Sequence, residues 1–304
     1  MRNTQKDNVE KENSIMEKKT KKKFDYKRLI SGLVLFPVAA AILIFANDIV
    51  MSIAMAIVSI ISLYEYYNCF RVGGKANPSM WYGMLVSILL IFIQLCSDTA
   101  IREVLIMIVP ISILILMIEM IFSKGKKNII DLIVTIFGIC YIPLLILFIS
   151  LVRARFTFGR VMVWYIFIAA WGSDIFAYLI GKNFGKHHYT KISPGKTVEG
   201  CVAGIVGAII MALAYTLVMN KIGIFQMMMT SSYNFQMSYI MVGVITGLLA
   251  LIGQIGDLLA SSIKRYCGIK DFSELIPGHG GMLDRIDSVI FIAPFAYILL
   301  GLLV

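Results

Sequence analysis

The sequence lacks several features that define common classes of protein. Its cysteines, Cys69, Cys96, Cys140, Cys201 and Cys267, are odd in number and form no Cys-x-x-Cys pair, so neither disulfides nor a zinc site is predicted. Short segments of alternating polar and apolar residues are absent, which excludes a transmembrane β-barrel. The chain is 59% apolar, and its mean hydropathy of +0.84 excludes a soluble globular protein.

What remains is a series of long apolar runs. Each run is long enough to cross about 30 Å of hydrocarbon as a helix. The first five contain few polar residues; Glu65 and Glu119 lie near predicted helix ends, so we expect interfacial carboxylates there. We predict an all-α polytopic membrane protein of about nine transmembrane helices with a cytoplasm-facing polar pocket. The predicted spans are residues 29–46, 49–67, 80–96, 103–122, 129–151, 161–181, 198–219, 238–260 and 286–304.

The positive charge is distributed unevenly along the chain, whose formal net charge is +10. Ten of its 28 Lys and Arg residues lie in residues 1–28, which we predict to be a disordered cytoplasmic tail that contacts anionic lipid, not nucleic acid. No small-residue cleavage site follows, so a signal peptide is not expected. With the N-terminus in the cytoplasm, 23 of the 28 fall on the cytoplasmic side, together with connections 182–197 and 261–285. The predicted regions are this tail, N-terminal membrane helices over 29–155 and a catalytic membrane region over 156–304.

Residues 257–287 concentrate charge that is scarce elsewhere, with five acids, four Lys or Arg residues and one of only three histidines. At the start of this window, Gln254, Asp257, Ser261 and Lys264 follow at helical spacing and share one face of the eighth span. A carboxylate followed by a hydroxyl and an ammonium suits a cation and the phosphate that it neutralises. The alternative is an Asp–Lys pair that merely closes the helix end.

A second polar group opens the ninth span. Residues 277–281 read Pro-Gly-His-Gly-Gly, a turn whose backbone amides can approach an anion. Asp284 and Asp287 follow on one helical face, with Arg285 beside them. Either acid alone could be a helix cap, but that reading explains poorly why so many polar residues occur together.

A third polar group joins the sixth and seventh spans. Asp174 and Tyr178 share a helical face, and residues 193–200 read Ser-Pro-Gly-Lys-Thr-Val-Glu-Gly. Gly-Lys-Thr matches the end of a P-loop, but the glycine four residues earlier is missing and no strand precedes it, so a P-loop is rejected. A basic loop that opens a helix and suits phosphate groups remains. His187 and His188 could suggest a metal site, but a solvated pair of loop residues is the better interpretation.

These groups predict metal-dependent phosphate chemistry at the membrane surface. The side chains of Asp174, Asp257, Asp284 and Asp287 are expected to meet at one cytoplasmic pocket lined with Lys and Arg. Carboxylate oxygens favour Mg²⁺ over zinc, and Mg²⁺ commonly bridges protein acids and substrate phosphates.

Residues 261–287 resemble the C-terminal signature of the phosphatidate cytidylyltransferases (CDP-diacylglycerol synthases). The matching positions read Ser-x-Ile-Lys-Arg, then Lys-Asp, then Ile-Pro-x-His-Gly-Gly-Met-x-Asp-Arg-Ile-Asp. Residues 173–181 and 193–200 are also similar to that family, so the likeness covers about residues 160–304. Gly195 is a departure, because the family usually carries a lysine there, followed by the one that corresponds to Lys196.

The resemblance implies the reaction of CTP with phosphatidate to give CDP-diacylglycerol and pyrophosphate. It implies a multi-pass protein of a bacterial plasma membrane, a homodimer, with Mg²⁺ and a second cation, monovalent or divalent, at the site. Asp257, Asp284 and Asp287 would bind metal and, with Lys264, form the catalytic group. Residues expected to bind substrate phosphates are Lys196, Ser193, Thr197, Lys191, Arg265, Lys270, Arg285, His279 and Ser261, and those expected to support the site are Asp174, Tyr178 and Glu199.

Two other functions share part of this chemistry. A CTP-dependent polyprenol or related lipid kinase would use the same metal and nucleotide groups, but it should lack the His-Gly-Gly-x-x-Asp-Arg-x-Asp segment. A cation-coupled transporter of a phosphorylated solute should show related halves and acids near the middle of the bilayer. No internal repeat is found, and the acids cluster towards one face.

Overall fold

A computed structural model describes residues 37–95, 103, 107–156, 158–190, 192–223, 239–276 and 280–302. The regular structure in these ranges is helical, apart from two isolated β-bridges, His188–Thr197 and Ile276–Gly280. The predicted all-α class is therefore confirmed. The predicted N-terminal tail lies outside the described residues.

The helices follow the predicted apolar runs. Residues 37–45 are helical, and the helices after them are numbered in chain order. They are α1 (Asp48–Val72), α2 (Met80–Phe92), α3 (Ile108–Phe122), α4 (Ile129–Tyr141), α5 (Pro143–Arg155), α6 (Gly159–Met162), α7 (Trp164–Phe184), α8 (Val198–Lys221), α9 (Tyr239–Tyr266) and α10 (Leu283–Leu299).

Six helical stretches of the described chain are long and apolar enough to cross a membrane. They are α1, α4 with α5, α6 with α7, α8, α9, and α10 with the short 3₁₀ turn that follows it. The helices α2 and α3 are apolar but shorter. The chain is thus a multi-pass membrane protein, and each of the nine predicted spans contains helical residues.

The predicted fifth span, residues 129–151, is divided in two. The helix α4 ends at Tyr141, and α5 begins at Pro143 after Ile142. Proline has no backbone N–H to donate to the preceding turn, so it is best accommodated at the first position of a new helix. Asn128 begins α4 with a capping box, in which its side chain accepts from Asp131 N and Asp131 accepts from Asn128 N.

The N-terminal helices pack around two tyrosines of α1. Tyr66 and Tyr67 are buried, and Tyr67 Oη donates to Thr135 O at 2.8 Å. Gly83 of α2 and Gly138 of α4 leave room for these rings, since a Cβ at either position would lie within 3 Å of them. The same apolar cluster includes residues of α9 and α10, so the two halves of the sequence share one core. The predicted boundary after residue 155 falls between α5 and α6.

In the C-terminal half, α7 and α8 pack most extensively, and α9 and α10 complete the group. A small residue permits the closest contact. A Cβ at Gly207 of α8 would lie 2.1 Å from Phe176 Cγ and 2.5 Å from Phe176 Cβ of α7. Because the Phe176 Cβ is fixed to the backbone, a change of rotamer could not relieve the overlap.

We therefore expect Gly207→Ala to lower the free energy of unfolding by about 1–3 kcal/mol through overpacking. Thermal unfolding of the purified protein in detergent measures the change. Gly243→Ala is the matched control, because its Cβ would be 3.5 Å from Ile209 Cγ2, an ordinary contact. Equal losses of thermal stability in the two variants would contradict this account of the α7–α8 contact.

Candidate active site

The polar face predicted for the eighth span is present on α9, and its members contact different neighbouring helices. Gln254 Nε2 donates to Ser173 Oγ of α7 at 3.0 Å and to Cys201 O of α8 at 2.9 Å. Asp257 lies about one turn after Gln254, and Ser261, one turn after Asp257, donates from its Oγ to Asp257 Oδ1 at 3.4 Å. This face is therefore the place where α7, α8 and α9 meet.

Glycines on α9 let α10 approach closely. A Cβ at Gly253 would lie 2.7 Å from Ile292 Cδ1, and one at Gly256 would lie 2.5 Å from Phe291 Cβ and 3.0 Å from Asp287 O. The backbone of α10 at Asp287 thus packs directly against α9 at Gly256, the residue that precedes Asp257.

Asp257 forms an ion pair with Lys196 of the loop between α7 and α8. Both side chains are 24% exposed, so the pair is accessible from outside the bundle. The contact joins two of the three polar groups recognised in the sequence. A cationic group that meets a carboxylate at an accessible position can exchange it for a substrate phosphate without a large desolvation cost.

The loop that carries Lys196 is folded by its own hydrogen bonds. Tyr189 N donates to Lys196 O at 2.9 Å, and Lys196 N donates to Ser193 O at 3.0 Å. Thr197 begins α8 as its N-cap, accepting from Gly200 N at 3.1 Å. The predicted phosphate-binding residues Ser193, Lys196 and Thr197 therefore lie on one short, ordered turn.

Glu199, predicted to support the site, holds the beginning of this loop. Its Oε2 accepts from Lys186 N and His187 N, and its Oε1 is 2.6 Å from His187 Nδ1. His188 Nδ1 is instead 2.8 Å from Pro194 O, and both histidines are exposed. The two histidines therefore contact different partners, which agrees with a pair of loop residues.

A cavity of about 360 Å³ opens beside the Lys196–Asp257 pair. It lies between α7, the loop and α8, and Gln254 of α9 closes one side. Its lining residues are Asp174, Ala177, Tyr178, Gly181, Lys182, Gly195, Lys196, Thr197, Gly200, Cys201 and Gln254. Three glycines and two lysines give it accessible backbone and positive charge, which suits phosphate groups.

Acids from three helices are close enough to interact electrostatically. The negative charge of Asp257 acts on both Asp174 and Asp287, and the charge of Asp174 also acts on Asp287. Lys196 and Arg285 act on Asp174 with the opposite sign. Asp287 is buried, and its Oδ1 accepts from Ser288 N at 2.7 Å. In the described part of the chain, no three Asp, Glu, His or Cys residues lie close enough together to form a metal-binding cluster of their own.

Asp284, by contrast, is enclosed by donors. Its Oδ1 accepts from Lys264 Nζ at 2.6 Å, and its Oδ2 accepts from Phe272 N at 2.9 Å and Gly281 N at 3.0 Å. The Asp284 side chain is 3% exposed and that of Lys264 is 9% exposed. This pair ties the end of α9 and the following loop to the first turn of α10.

Glu65 of α1 is a residue whose role the sequence did not predict. An interfacial carboxylate was expected, but Glu65 is only 2% exposed and accepts from Met282 N, Leu283 N and Ser273 Oγ. The expectation was wrong because the apparent helix end lies against α10 in the folded protein, not against solvent. The sequence did contain one indication of this role: an acid inside an apolar run is costly and therefore needs partners in the folded protein.

The remaining predicted residues are Arg265, Lys270, Arg285, Lys191 and His279. Arg265 Nη1 donates to Ile269 O at 3.0 Å, which closes the C-terminal end of α9. The side chains of Lys270 and Arg285 are exposed. Lys191 and His279 lie outside the described residues, so their predicted roles stay predictions.

The fold and the pocket define a class: a multi-pass α-helical membrane protein with a polar, phosphate-suited site at one end of its helices. The model of the cytidylyltransferase family matches residues 26–303. The chain therefore belongs to the cytidylyltransferase family.

Particular relatives specify the class further. The chain is 30% identical to the phosphatidate cytidylyltransferase of Staphylococcus aureus (strain COL) over 276 residues, which cover 90% of this chain and 96% of that protein. It is 39% identical to the phosphatidate cytidylyltransferase of Bacillus subtilis (strain 168) over 146 residues, 48% of this chain and 49% of that protein. The similarity to the first extends through the N-terminal helices, where the sequence signature gave no guidance.

The two ion pairs predict different responses to the loss of a lysine. Lys264→Met leaves a buried acid without its cation, so we expect the free energy of unfolding to fall by about 3–5 kcal/mol. Lys196→Met breaks a more exposed pair and should cost about 1 kcal/mol or less. Thermal unfolding in detergent compares the two variants. Similar losses of stability would show that the two pairs are not distinguished by burial.

Proposed function

We propose that cytidylyl transfer from CTP to phosphatidate takes place in the cavity beside Lys196 and Asp257. The products are CDP-diacylglycerol and pyrophosphate. The observation that carries this proposal is the match to a phosphatidate cytidylyltransferase over 96% of that protein's length. The cavity supports it, because its lysines, glycines and neighbouring acids suit a nucleoside triphosphate.

In the proposed reaction, an oxygen of the phosphatidate phosphate forms a bond to the α-phosphorus of CTP. The bond from the α-phosphorus to the oxygen bridging to the β-phosphorus breaks, and pyrophosphate leaves. Every reacting group is anionic, so the protein has to neutralise charge and hold the groups in line. Phosphatidate is already ionised at neutral pH, and therefore no side chain has to act as a general base.

Basic residues would bind the phosphates from several sides. Lys196 would exchange Asp257 for a CTP phosphate, with Ser193 and Thr197 beside it on the same turn. Arg285, exposed in the first turn of α10, would face the same region, since its charge acts on Asp174. Lys264 is committed to Asp284, so we assign it to fixing the site.

The acids fit a hard cation that also binds substrate. Mg²⁺ in nucleotide enzymes commonly takes one or two protein carboxylates and fills its other positions with phosphate oxygens and water. Asp257 and Asp287 would hold it, and Asp284 remains a predicted third ligand, because each carboxylate oxygen can accept more than one partner. Bound Mg²⁺ would neutralise charge on the transferred phosphate. A second cation is part of the same proposal.

The arrangement in the membrane follows from charge and substrate. We propose nine spans, with the N-terminus and the cavity on the cytoplasmic side of a bacterial plasma membrane, because 23 of 28 Lys and Arg residues then face the cytoplasm. The helices before residue 156 would support the catalytic region after it, and two copies would form a homodimer. Acyl chains would stay in the bilayer while the phosphatidate headgroup enters the cavity.

A direct assay tests the function and separates it from that of a lipid kinase. Purified protein is incubated with Mg²⁺, phosphatidate and CTP labelled on either the α- or the γ-phosphate. We expect the α-label to enter lipid and the γ-label to leave as pyrophosphate. Transfer of the γ-label to lipid would instead indicate a kinase, and no transfer of either label would contradict the proposal.

Variants in the same assay test the site. Asp257→Asn and Asp287→Asn should each reduce kcat by about 10²-fold or more, since charge-neutralising groups act on the transition state. Asp257→Asn should leave thermal stability nearly unchanged, because its side chain is partly exposed. Full activity of either variant would remove that residue from the proposed metal site. Lys221→Met, at the end of α8, serves as a surface control.

Gly195 allows a gain-of-charge test. A Cβ at this position meets no atom within 4 Å, and the residue is exposed at the edge of the cavity. Gly195→Lys should therefore fold normally and either leave the KM for CTP unchanged or lower it, because one more cation faces the phosphates. Gly195→Ala controls for the loss of glycine. A rise in the KM for CTP with Lys but not with Ala would show that added charge opposes nucleotide binding.

A further inference from the structure

Glu65 connects the N-terminal helices to the beginning of α10. It lies near the end of α1, and its Oε1 accepts from Ser273 Oγ at 2.5 Å and from Met282 N at 2.9 Å. Its Oε2 accepts from Leu283 N at 2.8 Å. One buried carboxylate thus holds both the loop after α9 and the first backbone amides of α10, more than 200 residues away in the sequence.

The glycine at 281 is an independent sign that this contact is built into the site. A Cβ at Gly281 would lie 2.7 Å from Glu65 Oε2 and 2.8 Å from Glu65 Oε1. Gly281 does not have the positive φ that would itself call for glycine. The contact as it stands therefore leaves no space for a side chain at this position.

The contact supplies what α10 lacks. Met282 at the N-cap makes no side-chain capping bond of its own, and the first N–H groups of a helix have no partner within the helix. Glu65 accepts from two of these groups, and Asp284 accepts from the preceding Gly281 N. The two acids together determine where α10 begins and how it is rotated.

The residues that follow directly belong to the proposed site. Asp287 lies one turn after the amides that Glu65 holds, and its charge interacts with that of Asp257 on α9. Arg285, in the same turn, interacts with Asp174. A change in the start of α10 would therefore move Asp287 and Arg285 relative to the acids of α7 and α9.

We propose that Glu65 is a positioning residue for cytidylyl transfer, which acts by fixing the first turn of α10 and so the placement of Asp287 and Arg285. The inference rests on the proposed site. Glu65 contacts neither substrate in this account. It extends the functional part of the molecule to α1, outside the segment that carries the family signature.

Glu65→Gln is the principal test. Glutamine keeps the size of the side chain but replaces one acceptor oxygen by an NH₂ group. The hydrogen bonds that this oxygen accepted are therefore lost. We expect kcat per folded molecule to fall by about 10²-fold, the effect typical of a small misplacement of reacting groups, while the KM for CTP changes less than about threefold. Glu65→Asp, which keeps the charge and both acceptors, should recover part of the loss in kcat.

Asp131→Asn is the matched control. Asp131 is also a buried acid of the N-terminal half. It lies at the start of α4 and accepts from Asn128 N, the N-cap of α4, and from Asn77 N in the segment before α2. If Glu65 only stabilises the fold, the two variants should lose thermal stability to a similar extent and keep the kcat of the wild-type protein. Positioning predicts a loss of kcat for Glu65→Gln alone.

A double-mutant cycle tests the contact itself and does not depend on Glu65→Gln folding. Gly281→Ala should reduce kcat in the wild-type background, because the new Cβ displaces the carboxylate, but by less than about twofold in a Glu65→Ala background. Additive effects, or a kcat for Glu65→Gln within twofold of wild type, would overturn the inference. An inactive wild-type protein would instead refute the proposed function.

Discussion

Charge buried among apolar helices is the constraint on which this architecture depends. A carboxylate or an ammonium group inside a membrane bundle is stable only when donors or an opposite charge surround it. Lys264 and Asp284 satisfy each other between α9 and α10, and Glu65 is satisfied by the amides that begin α10. Each of these contacts also joins separate segments of the chain. Asp284 and Glu65 therefore hold α1, α9 and α10 together at the end of the bundle where these acids lie.

The acids divide into two groups that the sequence could not distinguish. Glu65 and Asp284 are enclosed, and their oxygens accept from backbone amides of the loop after α9 and of the start of α10. Asp257 is partly exposed and is paired with a lysine on a loop. A phosphate can replace a carboxylate as the partner of an accessible lysine far more readily than as the partner of a buried one, since less desolvation and rearrangement are involved. Of these three acids, Asp257 is therefore the one whose pairing is most open to exchange.

The sequence predicted the helices and the polar face of α9 well, because both depend on local spacing. Long apolar runs have to be helical in a bilayer, and steps of three and four residues placed Gln254, Asp257 and Ser261 together. The break at Pro143 and the role of Glu65 were missed. Helical periodicity identifies neighbours on one helix only, whereas Glu65 finds its partners through the packing of α1 against α10. An isolated acid in an apolar run indicated that some partner exists, but not which one.

The position of the cavity follows from where tight packing between α7 and α8 ends. Gly181 and Gly200 bring the two helices together next to Thr197, and beyond them the loop diverges and leaves space beside Lys196. The α7 side of this space continues into exposed apolar residues, including Ile175 and Leu179. In a membrane-spanning helix such residues face lipid. This border suits the proposed reaction, which needs a nucleotide from water and a phosphate headgroup from the bilayer.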